Sequence, residues 1–375
     1  MKKVVLLPAL VWSMVSFGQL STPPSGGNQK AVVSQYMGLT HVTIAYSSPD
    51  VTAPNGQSRE GMIWGQLVPY GLSNFGFGLS SETNPSPWRA GANENTTITF
   101  SHDMKVEGQA IEAGTYGLHM IPGEEEWVII FSHNSDAWGS YFYLENEDAL
   151  RVTVKPEEHE FTEWLTYEFN DRQLAQCTAS LEWENLRIPF TISVPYINEL
   201  YMTQMEQELQ GQKGFVPANY STAANFALNN GGSLEKAEGW INTAMTSFGG
   251  QRNFNTLMIK ARILLAKGSS AEALTLVEEA LDDPSASVFQ VHSFGRRLIQ
   301  KGMDAEALMV FKWNAKRFPD TWPINVGLAR GYAANGEYKK ALKHARAALE
   351  KAPDKLNEDN LTAAIEKLEN NQDIN

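Results

Sequence analysis

The sequence has little cysteine, little positive charge and no long apolar run. Cys177 is the single cysteine among 375 residues, so the chain can form no internal disulfide and packing must stabilise it. The net charge of −13 at pH 7 argues against nucleic acid as a partner, because an acidic surface is repelled by phosphates. No stretch after the N-terminal segment approaches the ~20 apolar residues of a membrane helix. We therefore expect no membrane insertion.

Motifs that mark enzymes are also missing. The sequence contains no phosphate-binding loop, no dinucleotide fingerprint, no Gly-x-Ser-x-Gly elbow and no HExxH zinc motif. The histidines of the first half are His41, His102, His119 and His133, and none has the spacing of metal ligands. We predict no catalytic residue, no metal and no cofactor, and we favour a protein that is not an enzyme.

Residues 1–18 have the features of a secretory signal peptide. Lys2 and Lys3 precede a short apolar segment, and the small residues Ser16 and Gly18 precede the expected cleavage site. This pattern predicts export to the periplasm or out of the cell. Residues 19–37 are rich in Ser, Pro, Gly and Gln, and we predict a flexible leader there.

The first half of the chain alternates apolar and polar residues at strand spacing. Val42, Ile44 and Tyr46 would share one face of a first strand, and about ten such short segments follow without helices between them, Met62–Leu67 among them. Residues 1–194 carry 22 acidic and 10 basic side chains, so nearly all of the net charge lies here. The pattern predicts an all-β antiparallel sandwich or barrel over residues 38–194.

The second half repeats one short pattern four times. A Gly precedes an Ala by five residues at Ala237, Ala273, Ala307 and Ala341, with spacings of 36, 34 and 34 residues. This period is typical of tetratricopeptide repeats, which stack helix pairs into a solenoid. We predict a connecting helix over 195–217, four repeats over 218–356, and a capping helix and tail over 357–375. Side chains at helical spacing, such as Met258, Phe289 and Phe311, are predicted to lie in the core.

Several motifs of the first half resemble one known family. They are Tyr46-Ser47-Ser48-Pro49, Ile63-Trp64-Gly65, Val68-Pro69-Tyr70-Gly71, Trp88-Arg89-Ala90-Gly91-Ala92-Asn93-Glu94, Ala113-Gly114-Thr115-Tyr116-Gly117-Leu118, Ile121-Pro122 and Trp127. Together they resemble the secreted bacterial domain-of-unknown-function family 2911 over roughly residues 38–194. That family also occurs fused to tetratricopeptide repeats. It carries no established reaction, so the resemblance implies a fold and a compartment but no activity.

The run from Trp88 to Glu94 supports two interpretations. In one, Arg89, Asn93 and Glu94 form a polar pocket for a sugar or an anionic group. In the other the run is structural: Trp88 fills the core, and Arg89 pairs with Glu94 across a turn. Since Gly and Asn tolerate positive φ, we expect that turn at Gly91-Ala92-Asn93. The structural interpretation predicts a direct contact between Arg89 and Glu94.

Three arginines recur at one position of the repeats. Arg262, Arg296 and Arg330 each lie eleven residues before a repeat alanine, with Arg297 and Lys301 close by. In tetratricopeptide repeats this position lies on the first helix and faces the groove. We hypothesise that these arginines bind an acidic peptide, because guanidinium groups suit carboxylates. The alternative is that each arginine pairs with an acid on the neighbouring repeat.

Two functions therefore stay open from the sequence. The first is an exported, non-catalytic scaffold that binds a protein or acidic peptide in its repeat groove, with the acidic β half as one candidate ligand, within a chain or between chains. The second is an uncharacterised enzyme or carbohydrate-binding module in the β half, centred on Arg89, Asn93 and Glu94.

Overall fold

The described residues of this computed structural model are 27–319 and 321–375. The chain divides into two compact units between Ile197 and Asn198. The predicted signal peptide, residues 1–18, and the start of the predicted leader lie outside the described residues. None of the described helices is both long and apolar enough to cross a membrane.

The first unit consists of two antiparallel sheets. Its strands are β1 (Gln29–Met37), β2 (Thr40–Ser48), β3 (Thr97–Phe100), β4 (Met104–Val106), β5 (Gln109–Ile111), β6 (Gly114–Ile121), β7 (Trp127–Ser132), β8 (Asp148–Val154), β9 (Glu157–Asn170) and β10 (Gln176–Ser193). One sheet has the strand order β1-β2-β3-β6-β7-β8, and the other has the order β5-β4-β10-β9. The sheets do not close into a barrel, and the unit is a sandwich.

Strand β1 corrects the prediction of a flexible leader over residues 19–37. Residues 29–37 pair along their whole length with β2, from Gln29 opposite Ser48 to Met37 opposite Thr40. Polar residues alternate with Ala31, Val33 and other apolar residues here, as in any half-buried strand. The prediction was wrong because residue composition was read over a window that also covered the Pro- and Gly-rich segment before it. Met62–Leu67, predicted as a strand, is a series of turns.

Aromatic side chains join the two sheets. Phe131 of β7 meets Phe190 of β10, with ring centroids 6.3 Å apart. Tyr46 of β2 meets Tyr167 of β9 at 4.8 Å. A tryptophan cluster fills the space beside them. Its members are Trp64, Trp88, Trp127 and Trp183, whose ring centroids lie 5.2 to 6.3 Å apart. Such aromatic contacts add to the area that each ring buries.

The second unit is helical. Its helices are α1 (Ile197–Leu209), α2 (Pro217–Asn229), α3 (Leu234–Thr246), α4 (Phe254–Ala266), α5 (Ser270–Leu281), α6 (Val288–Gln300), α7 (Asp304–Arg317), α8 (Trp322–Ala334), α9 (Tyr338–Leu349) and α10 (Lys355–Glu369). Helices α2 to α9 form four successive pairs, and α10 packs against α9. The fold class predicted from the sequence, a β sandwich followed by a helical solenoid, is confirmed.

The repeated alanines lie where the two helices of each pair approach each other. Ala237, Ala273, Ala307 and Ala341 are each 0 % exposed and lie in the first turns of α3, α5, α7 and α9. The turn before each of the last three contains a left-handed glycine: Gly268, Gly302 and Gly336 have φ of 87°, 70° and 72°. A residue with a Cβ would be strained there. The repeat signal therefore marks tight turns and close helix contacts.

Phe311 is the largest side chain at the centre of the repeat core. It is 1 % exposed, and it lies against Gly295, Gly327 and Gly331, where an added Cβ would come within 2.5 to 2.8 Å of its ring. Met258 is also buried, as predicted. Phe289, however, is 60 % exposed, so its predicted core position is wrong. It lies one residue into α6 and on the opposite side from the buried face that Val291 and Phe294 form.

We expect Phe311→Ala to lower the free energy of unfolding by about 3 to 5 kcal/mol, because the glycines around the ring cannot fill the cavity that it leaves. Phe289→Ala is the matched control and should change the free energy of unfolding by less than ~1 kcal/mol. Urea unfolding followed by far-UV circular dichroism measures both. Equal losses in the two variants would contradict this account of the core.

Candidate functional site

The run from Trp88 to Glu94 is held in place by backbone contacts. Trp88 exchanges two backbone hydrogen bonds of 2.8 Å with Met120 of β6, which directs its ring into the tryptophan cluster. The left-handed residues are Ala90, with φ of 51°, and Asn93, with φ of 58°. The turn thus differs from the prediction, because Gly91 does not need positive φ. It allows a close approach instead: a Cβ at Gly91 would lie 2.6 Å from Thr96 Oγ1.

Arg89 and Glu94 do not pair with each other, so the predicted contact is wrong. Arg89 Nη1 donates to the backbone oxygen of Asn93 at 2.5 Å, and its guanidinium lies over the ring of Tyr141 at 4.8 Å. Glu94 pairs with Lys30 of β1 at 2.7 Å and accepts from Ser47 Oγ at 3.2 Å. The hydrogen bond from Lys30 lowers the pKa of Glu94. These contacts serve the turn, and they provide no observation in favour of a sugar or anion pocket.

Substitution separates the roles of these two charged residues. We expect Arg89→Ala to lower the free energy of unfolding by about 1 to 3 kcal/mol, because it leaves the Asn93 carbonyl without its donor and removes the cation–π contact. Glu94→Gln should change it by less than ~1 kcal/mol, because the Lys30 pair is solvent-exposed. Chemical denaturation at pH 7 measures both. A larger loss for Glu94→Gln than for Arg89→Ala would contradict these assignments.

His119 is the most deeply buried titratable group of this region. Its Nδ1 lies 2.8 Å from Ser140 Oγ, and the two residues are 2 % and 0 % exposed. Burial lowers the pKa of His119 to about 3, and the nearby Arg89 contributes to the shift. A histidine that is neutral down to such acidic pH is a poor general base, so this Ser–His contact is structural. Cys177 is also buried, and burial raises the pKa of its thiol to about 11.

This histidine predicts a pH dependence of stability. The unfolded chain binds a proton at His119 below about pH 6.5, whereas the folded chain does so only near pH 3. Stability is therefore complete above pH 6.5 and falls as the pH decreases toward 3. Between pH 7 and pH 5 the native chain should lose about 2 kcal/mol more than His119→Gln loses. Urea unfolding followed by tryptophan fluorescence at both pH values tests this, and parallel losses in the two chains would contradict it.

The three repeat arginines occupy one register of the first helices. Arg262, Arg296 and Arg330 each lie eight residues after the first residue of α4, α6 and α8. In residues 27–319 and 321–375, none of the three forms an ion pair with an acid. The alternative in which each arginine pairs with an acid on the neighbouring repeat finds no support in this part of the chain.

Arg262 is held by neutral partners. Its Nη1 donates to Asn225 Oδ1 at 2.9 Å, and its Nη2 donates to Asn229 Oδ1 at 2.5 Å. Both asparagines belong to α2. Burial lowers the pKa of Arg262, and repulsion from Arg297 lowers it further. The side chain is therefore fixed in position without neutralisation of its charge.

Arg262 and Arg297 line the largest cavity of the repeat unit, which we call cavity A. It has a volume of ≈ 790 Å³ and lies along α2, α4 and α6. Neutral polar residues form much of its wall, among them Thr222, Asn255 and Gln290, and the exposed Phe289 lies at one side. None of the described residues that line it is acidic.

Arg296 and Arg330 line a second cavity of ≈ 490 Å³, which we call cavity B. Burial lowers the pKa of Arg330, and repulsion from Arg296 adds to the shift. His292 and Lys367 also line cavity B, and the described lining again contains no acid. Because adjacent residues of α6 point in different directions, Arg296 faces one cavity and Arg297 the other. The predicted row of three arginines is thus two pairs.

The comparisons with known proteins concern the two halves separately. Residues 28–192 match the family model described as Protein of unknown function (DUF2911). The first unit is a DUF2911 domain. No curated protein matches the chain.

Solved structures resemble the repeat half. The C-terminal part of a TPR repeat-containing protein from Cytophaga hutchinsonii is 17 % identical, with 46 % of this chain and 67 % of that chain covered and a TM-score of 0.37. YrrB, described as a TPR protein with an unusual peptide-binding site, is 19 % identical over 45 % of this chain and 84 % of that chain, with a TM-score of 0.32. A thermophilic TPR protein of Thermus thermophilus is 20 % identical over 46 % of this chain and 90 % of that chain, with a TM-score of 0.33.

Sequence reasoning missed several residues around the cavities. Asn225 and Asn229 escaped because the first repeat is longer by two residues, which moves α2 out of the register that the other arginines share. His292 and Trp322 looked like ordinary residues of amphipathic helices. In the DUF2911 domain, Lys30 was missed as the partner of Glu94 because its strand was predicted as a leader. Within the described residues, no group of three or more His, Cys, Asp or Glu could hold a metal ion.

Proposed function

We propose that this protein is an exported scaffold that holds an acidic polypeptide partner on the first-helix face of its repeats. The observation that carries the proposal is cavity A, where Arg262 and Arg297 face a wall without acidic residues among those described. The charged start and short apolar segment of residues 1–18 support export to the periplasm or beyond the cell.

The electrostatics of Arg262 favour an anionic ligand. A half-buried guanidinium gives up part of its hydration, and the side-chain oxygens of Asn225 and Asn229 replace only some of it. Arg297 adds repulsion. A carboxylate bound between the two arginines would relieve both costs through charge-assisted hydrogen bonds. Because asparagine carries no charge, this ligand would not have to displace an internal acid.

The wall of cavity A suits an extended chain better than a small anion. The amides of Asn255 and Gln290 can each donate to and accept from a peptide backbone. Phe289, which is 60 % exposed, offers an apolar anchor beside the arginines, and aromatic anchors contribute strongly to protein interfaces. A polypeptide with spaced acidic residues and one apolar side chain matches all three features.

The DUF2911 domain itself meets part of this description. Residues 1–194 hold 22 acidic and 10 basic side chains, whereas residues 195–375 are almost neutral, with 21 acidic and 20 basic. An acidic surface segment of one chain could therefore serve as the ligand of the repeats, within the chain or between two copies. Other exported proteins with acidic segments would compete for the same face.

We expect the full chain to bind a fluorescein-labelled peptide of alternating glutamate and alanine, with affinity that falls as salt rises. The double variant Arg262→Gln/Arg297→Gln should weaken binding about tenfold or more, since two charge-assisted contacts are lost. The triple variant of Arg262, Arg296 and Arg330 measures whether the second pair contributes. Fluorescence anisotropy gives the dissociation constants.

Two controls make this test decisive. Arg346→Gln removes the same charge from an exposed pair with Glu369 on α9 and α10, and it should leave the affinity unchanged. A peptide of alternating glutamine and alanine should bind much more weakly than the acidic one. Equal effects of Arg346→Gln and the double variant, or equal binding of both peptides, would overturn the proposal.

A further inference from the structure

The last residues of the chain lie against cavity B. After α10 the chain turns back toward α8, and Ile374 lines the cavity. Arg330 Nη1 lies 3.4 Å from the backbone oxygen of Ile374 and 3.4 Å from Asn375 Oδ1. Asn375 Nδ2 donates in return to the Arg330 carbonyl at 3.1 Å. A short segment of the chain is thus seated on one of the repeat arginines.

Asp373 gives this segment a defined shape. Its Oδ1 accepts from the backbone nitrogen of Ile374 at 2.7 Å and from Asn375 Nδ2 at 2.8 Å. The carboxylate also acts on Arg330 through space and partly offsets the lowering of its pKa by burial. Ile374 meanwhile packs against the small apolar core formed by Ala329, Ala333, Ala341, Ala345 and Leu368. The segment therefore combines an acid, an aliphatic anchor and a backbone carbonyl that faces a guanidinium.

Cavity B has unused binding capacity beyond this segment. His292 Nδ1 and Trp322 Nε1 are buried and have no hydrogen-bond partner among the described residues, and both residues line the cavity. Buried polar atoms of this kind usually have a partner. Arg296 is exposed at the same cavity. These groups lie together on α6 and the start of α8, whereas Arg330 lies near the end of α8.

The lining indicates what chemistry would fill this space. Lys367, Arg296 and Arg330 attract an anion, and Asn357 and Asn360 can pair with a peptide backbone. Val326, Leu361 and several alanines give an apolar floor. A bare anion such as phosphate would use only the charges, whereas a peptide with acidic and aliphatic side chains would use all three kinds of contact.

We propose that cavity B is a second peptide site, specific for an acidic segment with an aliphatic side chain, and that Asp373-Ile374-Asn375 is its intramolecular ligand. The inference deepens the proposed function and rests on it only in assigning the first-helix face to peptides. The chain's own segment holds the Arg330 side of the cavity. A partner peptide with the same pattern displaces that segment and also reaches His292, Trp322 and Arg296.

The test uses the full chain and a labelled copy of its own segment. In the opened variant, Asp373-Ile374-Asn375 is replaced by Gly-Ser-Gly. The probe is a fluorescein-labelled, amidated peptide with the sequence of residues 370–375, Asn-Asn-Gln-Asp-Ile-Asn. We expect the probe to bind the opened variant about tenfold or more tightly than the native chain, because a tethered segment competes at an effective concentration in the millimolar range.

Substitutions then locate the bound probe. In the opened variant, Arg330→Gln should weaken binding about fivefold or more, whereas Arg262→Gln, the matched change in cavity A, should leave it unchanged. A probe with Ser in place of Ile should bind at least about fivefold more weakly. Circular dichroism of each variant before the titration confirms that α8 and α10 are retained.

The outcomes are separable from those for cavity A. Dependence on Arg330 and not on Arg262 supports the second site even where the glutamate–alanine peptide fails to bind cavity A. Equal affinity of the probe for the native chain and the opened variant would overturn the intramolecular ligand. Equal binding of the Ser probe would show a general anion site and overturn the specificity for an aliphatic acidic peptide.

Discussion

The contact on which the repeat unit depends is the close approach of paired helices at buried alanines. Ala273, Ala307 and Ala341 leave no room for a larger side chain, and a left-handed glycine turn precedes each of them. Because these contacts recur every 34 residues, successive first helices present equivalent positions to one face. The arginines that line the cavities owe their alignment to this packing and not to any contact among themselves.

The two units use polar side chains in opposite ways. In the DUF2911 domain, the conspicuous polar residues are satisfied internally: Arg89 by the Asn93 carbonyl and His119 by Ser140. In the repeat unit, Arg262 has only neutral partners and faces Arg297 across an open cavity. A charge that is fixed but not neutralised is suited to bind a ligand, whereas a satisfied one is suited to hold a fold. This contrast is why the proposals concern the repeats.

The cationic character of the cavities is a matter of distribution. Residues 195–375 are nearly neutral in sum, yet the described lining of both cavities contains no acid. The acids of this half pair instead at other positions, such as Glu279 with Arg252 and Glu369 with Arg346. Local potential, and not net charge, then governs which segments the face attracts, and salt would screen it beyond about 10 Å.

The sequence by itself determined the two-part fold, the helix pairs and the register of the three arginines, because these follow from periodicities of 2, 3.6 and 34 residues that any local window reveals. Only the tertiary structure decided which groups become neighbours. Lys30 and Glu94 are 64 residues apart, and Arg330 and Ile374 are 44 apart; no local pattern records such pairings. The same holds for the separation of Arg296 from Arg297 into two cavities and for the exposure of Phe289. These features depend on how neighbouring elements pack, and that packing minimises free energy over the whole unit rather than along one segment.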